Sequence, residues 1–188
     1  LFSQNGNPAR MLSFPFEGGS SINLYTILFI LCFGIGYHPA FALPFDDRHV
    51  TEDYEIRFDG VESPLCVSAQ PNGLLNGQSY YLARNVEAIQ LTDDLFDNDS
   101  HAMVNLRSAH VSVIEKDTGR SVICDVSDFP YTLIWSAPKK PLHFICIEPW
   151  HSLPGEENGP IDWEQRPCAA ILKKGESWST TLSTTFVR

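Results

Sequence analysis

The chain is a succession of short extended segments separated by turn residues, and no stretch keeps apolar side chains at helical spacing over three turns. Apolar and polar residues alternate along residues 54–58 and again along 110–114, the period of a half-buried strand. Residues 116–119, Lys-Asp-Thr-Gly, have the composition of a hairpin turn. The pattern therefore predicts an all-β fold, an antiparallel sandwich or barrel. Further strands are predicted at residues 79–82, 87–91, 121–126, 133–135, 142–147, 168–172 and 180–187.

Length and charge limit the classes of function. The 188 residues suffice for one sizeable core and are too few for two comfortable domains. Thirteen Lys and Arg face twenty-three Asp and Glu, for a formal charge of −10, and the basic residues form no cluster. Nucleic acid is therefore not an expected partner, because phosphate binding needs a concentrated positive surface. A neutral small molecule suits this balance better than an anionic one.

The five cysteines, Cys32, Cys66, Cys124, Cys146 and Cys168, are scattered along the chain. They form no Cys-x-x-Cys pair, and no histidine lies near them at zinc-ligand spacing. Three have apolar neighbours, as is typical of small buried residues in a reducing compartment. The sequence thus predicts no disulfide framework and no metal site, and it favours a cytoplasmic location.

An uncharged segment at residues 22–37 resembles a secretory signal, with Arg10 before it and the small-x-small triplet 40–42 after it. A secreted or anchored β-domain is therefore one alternative. Against it, Glu17 lies where a signal would be positive, and the apolar run is shorter than the ~20 residues that a membrane helix needs. The interpretation favoured is a buried strand or a damaged start, with no membrane anchor.

A carboxylate and an indole stand where one apolar strand ends. Residues 144–147 have the length and β-branched content of a buried strand, and Glu148, Pro149 and Trp150 follow directly. Proline cannot donate to a ladder, so Pro149 ends the pairing. An acid that binds hydroxyl groups and a ring that covers an apolar C–H face are a common sugar grip. The alternative is that Glu148 caps a strand end and Trp150 fills a gap.

His38 is the candidate partner for that carboxylate. Pro39 forces it into an extended conformation, and Gly34 and Gly36 before it allow a bulge or a close backbone approach. A histidine so placed can serve as general acid or base near neutral pH. The alternative is a strand-end histidine bonded to a backbone carbonyl.

An acidic run at residues 92–101 contains Asp97 and Asp99. It resembles a calcium loop only faintly, because the glycine and the terminal bidentate glutamate are missing, and a solvated turn is the ordinary alternative. His143 and His151 flank the Glu148 strand, but no spacing fixes a metal pair there. The chain has no nucleophile elbow and no phosphate-cradling glycine loop, so hydrolase triads and nucleotide chemistry are unsupported.

Taken in order, these motifs resemble the aldose 1-epimerase (galactose mutarotase-like) family. The resemblance runs from about Phe33 to the end, which predicts an unassigned segment at 1–32 and a β-sandwich domain at 33–188. It implies a supersandwich of antiparallel sheets whose concave face holds a hexose. The matching segments are 36–41 (Gly-Tyr-His-Pro-Ala-Phe), 95–99 (Leu-Phe-Asp-Asn-Asp), 119–122, 128–131, 134–136, 144–150 (Phe-Ile-Cys-Ile-Glu-Pro-Trp) and 172–176.

The resemblance also implies a role for each site residue. His38 is expected to protonate the ring oxygen as general acid, and Glu148 to take the anomeric hydroxyl proton as general base. The ring opens, the carbonyl carbon rotates, and the sugar recloses on its other face. Asp99 is expected to hold sugar hydroxyls, with Asp97 as the second choice, and Trp150 is added from the stacking argument alone. Such acid–base chemistry needs neither metal nor cofactor.

The N-terminal region departs from the family. Members are longer there and use the extra strands to supply an arginine or histidine that grips the sugar, whereas residues 1–32 resemble nothing in the family. We therefore expect an N-terminally incomplete sandwich: a C-terminal fragment, a misassembled reading frame or a diverged paralogue. The alternative function is a carbohydrate-binding module without catalysis. The secreted alternative conflicts with catalysis, because cleavage after Ala42 would discard His38.

Overall fold

The computed structural model describes residues 20–24, 31–138, 140–166 and 169–188. These residues form fifteen strands and two short 3₁₀ helices, Thr51–Asp53 and Trp163–Gln165, and no α-helix occurs among them. The predicted all-β fold class is confirmed. The strands are β1 Ser20–Leu24, β2 Leu31–Phe33, β3 Ala40–Ala42, β4 Tyr54–Glu62, β5 Leu65–Ala69, β6 Leu75–Tyr81, β7 Val86–Gln90, β8 His101–Met103, β9 His110–Glu115, β10 Ser121–Asp125, β11 Tyr131–Trp135, β12 Phe144–Trp150, β13 Ala170–Leu172, β14 Trp178–Leu182 and β15 Thr184–Val187.

Two large antiparallel sheets face each other across one core. The first has five strands in the order β15-β10-β9-β4-β7, and the second has six in the order β3-β12-β11-β8-β5-β6. The alternation predicted at 54–58 is observed, because Tyr54, Ile56 and Phe58 are buried in the core cluster. Ile145 and Ile147 of β12 enter the same cluster from the second sheet. Because strand residues alternate between faces, Cys146 and Glu148 point to the opposite face of that sheet. The prediction that Pro149 ends the pairing is wrong, because β12 continues to Trp150, which lies opposite Tyr131.

Two strands of the N-terminal region pair with strands near the end of the chain. β1 pairs antiparallel with β14, and β2 pairs antiparallel with β13. The rest of the N-terminal region, residues 1–19 and 25–30, lies outside the described residues, as does Cys168. The domain boundary at residue 33 stays a prediction.

Two sequence expectations bear on the protein's environment. No helix in the described part of the chain has the length and apolar character needed to span a membrane. The four described cysteines, Cys32, Cys66, Cys124 and Cys146, are free thiols, and the expectation that the chain has no disulfide framework stays a prediction.

A largely buried charged cluster joins β4, β9 and the turn before β10 at one end of the five-stranded sheet. Glu115 is fully buried at the end of β9. Its Oε1 accepts a hydrogen bond from the Tyr54 hydroxyl at 2.5 Å, and its Oε2 accepts one from Arg120 Nε at 2.7 Å. Arg120 also donates to Asp46 at 2.7 Å. Hydrogen bonding to Arg120 in particular lowers the pKa of Glu115 to about 2, so this carboxylate stays ionised inside the protein.

Candidate active site

The antiparallel register beside β12 brings His38 and Glu148 together. Ala40 of β3 lies opposite Cys146, and the pairing resumes before β3 at an isolated bridge to Trp150. His38 lies midway between these two pairs, so the same register places it opposite Glu148. Directly opposed residues of antiparallel strands project their side chains to the same face. The fold therefore makes neighbours of two residues that are far apart in sequence.

The imidazole of His38 and the carboxylate of Glu148 are in contact distance. His38 Nε2 lies 3.4 Å from Glu148 Oε1. The Glu148 side chain is 3% exposed and that of His38 is 56% exposed. The carboxylate thus forms the floor of the site and the imidazole lies at its opening. The structure brings together the two residues predicted to be catalytic, and their roles remain a proposal.

The surroundings of Glu148 raise the pKa of its carboxyl group to near neutral pH. Burial, with a further contribution from the negative charge of Asp99, raises the pKa of Glu148 to about 7. Both effects disfavour the ionised form of a carboxyl group. Such a carboxyl group can take up and release a proton at neutral pH, as general acid–base catalysis requires.

Asp99 lies close enough to Glu148 for its charge to act on that carboxyl group. Its backbone adopts φ +78°, the left-handed region that aspartate tolerates better than most residues. Its Oδ1 accepts a hydrogen bond from the backbone N–H of Ser100 at 2.7 Å. This position near the carboxylate is consistent with the predicted hydroxyl-binding role, which stays a prediction.

Asp97 and Trp150 have other contacts. Asp97 forms an exposed ion pair with Lys140, with 3.2 Å between Oδ2 and Nζ. The indole N–H of Trp150 donates to the backbone carbonyl of Tyr37 at 3.1 Å, so this ring fastens the segment that carries His38. The predicted substrate contacts of both residues stay predictions.

The close backbone approach expected at the glycines is observed at Gly36, where the Trp150 ring lies against the backbone. A Cβ added there would lie 2.2 Å from Trp150 Cδ1, whereas one added at Gly60 would meet nothing within 4 Å. Because Gly36→Ala must displace the indole or the backbone beside His38, it should lower the free energy of unfolding by about 1–3 kcal/mol. Urea denaturation measures this, with Gly60→Ala as the matched control. Equal stability of the two variants would contradict the packing described.

Sequence reasoning missed two side chains of the site, Trp135 and Cys146. Trp135 lies opposite Cys146 on β11, and its ring meets that of His38 edge-on with centroids 5.8 Å apart. Cys146 could have been found, since it lies two residues before Glu148 on one strand and so faces the same side. Burial, followed by the charge of Glu148, raises the pKa of Cys146 to about 12. It is therefore a thiol at neutral pH.

A buried histidine, also missed, anchors the loop that carries Asp99. His101 Nε2 lies 2.7 Å from the carbonyl oxygen of Leu95, and its Nδ1 lies 2.8 Å from the Tyr80 hydroxyl. A carbonyl can only accept, so Nε2 carries the proton and Nδ1 accepts from Tyr80. Burial lowers the pKa of His101, which favours this neutral form.

Two groups of side chains in the described residues have the atoms and spacing to hold a metal ion. They are His38, Cys146 and Glu148 at this site, and Asp46, His49 and Glu115 in the charged cluster. The second group already receives hydrogen bonds from Arg120.

No family model matches the chain. The plasmid and chromosomal LacX proteins of Lactococcus lactis subsp. lactis are each 34% identical to it over 121 residues, which is 63% of this chain and 40% of theirs. A galactose mutarotase related enzyme from Lactobacillus acidophilus superposes with a TM-score of 0.80 at 24% identity, covering 93% of this chain and 59% of that chain. A galactose mutarotase-like protein from Lactobacillus casei ATCC 334 gives a TM-score of 0.74 at 26% identity, covering 92% and 60%.

The chain has the antiparallel β-sandwich fold of the galactose mutarotase-like proteins. Its predicted resemblance to the aldose 1-epimerase (galactose mutarotase-like) family is confirmed. The chain spans 40% of the length of the LacX relatives and about three fifths of the length of the two structural neighbours described.

Proposed function

We propose that the protein acts as an aldose 1-epimerase, interconverting the α and β anomers of a hexose by opening and reclosing the sugar ring. The observation that carries the proposal is the pairing of an exposed imidazole with a buried carboxylate, His38 and Glu148, 3.4 Å apart on one face of the sheet. The raised pKa of Glu148, about 7, suits a base that works near neutral pH. The mutarotase-like fold supports the same assignment.

In the proposed reaction Glu148 takes the proton of the anomeric hydroxyl while an N–H of His38 donates to the ring oxygen. The bond between the anomeric carbon and the ring oxygen breaks, which leaves an open-chain aldehyde. Rotation about the adjacent carbon–carbon bond presents the other face of the carbonyl. The hydroxyl oxygen then attacks that face, and both protons return to their original positions. Because His38 is more than half exposed, its side chain can swing away from Glu148 and admit the sugar.

Substrate binding is assigned to residues around this pair. Asp99 lies near enough to Glu148 to raise its pKa, and its carboxylate would accept hydrogen bonds from sugar hydroxyls. The N–H of Trp150 is used by the Tyr37 carbonyl, so this half-buried residue would contribute its ring face. Asp97 remains the second choice for hydroxyl binding. The partner proposed is a hexose, and a cytoplasmic location is proposed with it.

Anomer exchange measured by NMR or polarimetry tests the proposal. Freshly dissolved α-glucose and α-galactose should equilibrate faster with the purified chain than in buffer alone. His38→Gln should abolish the acceleration. His110→Gln, which alters an exposed histidine of the five-stranded sheet, is the matched control and should retain it. A soluble, folded chain that accelerates neither sugar would argue against epimerase activity on these hexoses.

The second candidate is a carbohydrate-binding β-sandwich without catalysis. The half-buried indole of Trp150 and the Trp135 ring beside His38 favour it, because aromatic rings bind sugars without any proton transfer. Sugar binding in a calorimetric titration, together with anomer exchange no faster than in buffer, would identify this function.

A further inference from the structure

Three potential metal ligands converge at the candidate active site. The ligating atoms of His38, Cys146 and Glu148 lie within 4.8 Å of one another. Cys146 and Glu148 share one face of β12 because they are two residues apart, and His38 belongs to the segment paired with that strand. Zinc-ligand spacings describe sites built from neighbouring residues, which is why the chain order gave no sign of this group.

The separations suit tetrahedral coordination. Nitrogen and carboxylate ligands bind Zn²⁺ at about 2.0–2.2 Å and thiolate sulfur at about 2.3 Å, so two ligands of a tetrahedral ion lie roughly 3.3–3.7 Å apart. The 3.4 Å between His38 Nε2 and Glu148 Oε1 falls in this range. The two separations that involve Cys146 Sγ are at most 4.8 Å, and the exposed His38 side chain has room to move toward an ion held by Cys146 and Glu148.

The charge around the site favours a cation. The negative charge of Asp99 acts on Glu148, and that of Glu148 acts on Cys146. In the described part of the chain, Glu148 forms no ion pair with a lysine or arginine within 4 Å. The other group with metal-ligating atoms differs here, because the Arg120 guanidinium already compensates Asp46 and Glu115.

We propose that His38, Cys146 and Glu148 bind a transition-metal dication of the Zn²⁺ class, and that the bound ion blocks the acid–base pair. The blocking rests on the proposed function, whereas metal binding does not. One nitrogen, one sulfur and one oxygen ligand select Zn²⁺ or Co²⁺ over Mg²⁺ and Ca²⁺, which prefer oxygen ligands alone. On binding, the Cys146 S–H proton passes to solvent and a sulfur–metal bond forms, with no change of oxidation state.

Titration of the full purified chain with CoCl₂, followed by absorption, tests the site. A thiolate bound to tetrahedral Co²⁺ gives a ligand-to-metal charge-transfer band in the near ultraviolet and strong d–d bands in the visible. Wild type should show both. Cys146→Ala should lose the charge-transfer band and bind Co²⁺ about 100-fold more weakly or worse, since even outer-shell changes weaken metal binding about 10–100-fold. Cys66→Ala, at a buried thiol on the core side of the same sheet, is the matched control and should titrate like wild type.

Competing ions and a second variant complete the test. ZnCl₂ should displace Co²⁺, and excess MgCl₂ should not. His38→Gln changes an exposed side chain, so it should fold normally and bind Co²⁺ at least about tenfold more weakly. An unchanged charge-transfer band in Cys146→Ala, or displacement of Co²⁺ by MgCl₂, would overturn the site.

Anomer exchange separates this proposal from the proposed function. In the presence of ZnCl₂, wild-type exchange should slow, and Cys146→Ala should be inhibited less at the same concentration. A chain that binds Co²⁺ through Cys146 without accelerating anomer exchange would overturn the epimerase proposal and support the metal site. A chain that accelerates exchange and binds no Co²⁺ would overturn the metal site alone.

Discussion

Glu148→Gln should lower kcat/KM for anomer exchange by about 10²–10⁴-fold, the usual contribution of a positioned general base. Glutamine keeps the size of the side chain and an oxygen opposite His38, but its amide cannot take the anomeric proton. Because the lost interaction belongs to the transition state, kcat should fall and KM should change little. NMR exchange rates at several sugar concentrations measure both. The wild-type rate should also rise as pH increases through about 7, where Glu148 loses its proton.

The stability of the same variant separates lost chemistry from lost folding. The pKa of Glu148 is raised from an ordinary value of 4.5 to about 7 in the folded protein. The folded state therefore holds this proton more tightly than the unfolded state, and the wild type loses stability as pH rises from about 4.5 through 7. That loss is about 3 kcal/mol at pH 8. Glutamine carries no charge there, so Glu148→Gln should be more stable than wild type by up to this amount.

Urea denaturation at pH 8 and pH 4 measures this difference. The gain should appear at pH 8 and become small at pH 4, where Glu148 is mostly protonated in both the folded and the unfolded wild type. An inactive variant that is less stable than wild type at pH 8 would show instead that Glu148 holds the fold together as a carboxylate.

The strands predicted from the sequence are those whose own residues alternate between apolar and polar, or that are bounded by a recognisable turn. Residues 54–58 alternate because one side of β4 faces the core, and the turn before β10 is marked by Gly119, which adopts φ +75°. β3 and β8 were missed because each has three residues, too few to establish a period. All three residues of β8 are buried, so this strand lacks the alternation of buried and exposed residues from which a strand is predicted.

The sequence allowed His38 and Glu148 to be predicted as individual site residues, but it did not predict how the residues of the site are arranged in space. The composition around His38 and Glu148 identified both as candidates, and the family resemblance assigned their roles. Their contact depends on the register between the segment before β3 and β12, a long-range pairing that no local pattern determines. Trp135 was missed for the same reason, since it reaches the site from β11. The three-ligand group with Cys146 also exists only after that pairing forms.

Glu115→Gln should lower the free energy of unfolding by about 2–3 kcal/mol at pH 7, the opposite sign to the same substitution at Glu148. Glu115 is also fully buried, but Arg120, Tyr54 and Thr118 all donate hydrogen bonds to it. Its pKa is lowered from 4.5 to about 2. A neutral amide loses the attraction of the guanidinium and leaves that half-buried charge paired with Asp46 alone. Urea denaturation measures the loss, with Glu55→Gln as the matched control.

Glu55 pairs with Arg57, whose side chain is 52% exposed, so Glu55→Gln should change the free energy of unfolding by less than about 1 kcal/mol.

The pH dependence of stability distinguishes the contribution of Glu115 further. Glu115 has a depressed pKa, so its contribution is present above about pH 4.5 and is lost as pH falls through 2. The deficit of Glu115→Gln should therefore shrink in acid, whereas the gain of Glu148→Gln grows as pH rises. A deficit as large at pH 2 as at pH 7 would mean that Glu115 acts through packing. Opposite trends in the two variants would show that donors around the carboxylate, and not burial alone, decide whether a buried glutamate stabilises this fold or is kept reactive.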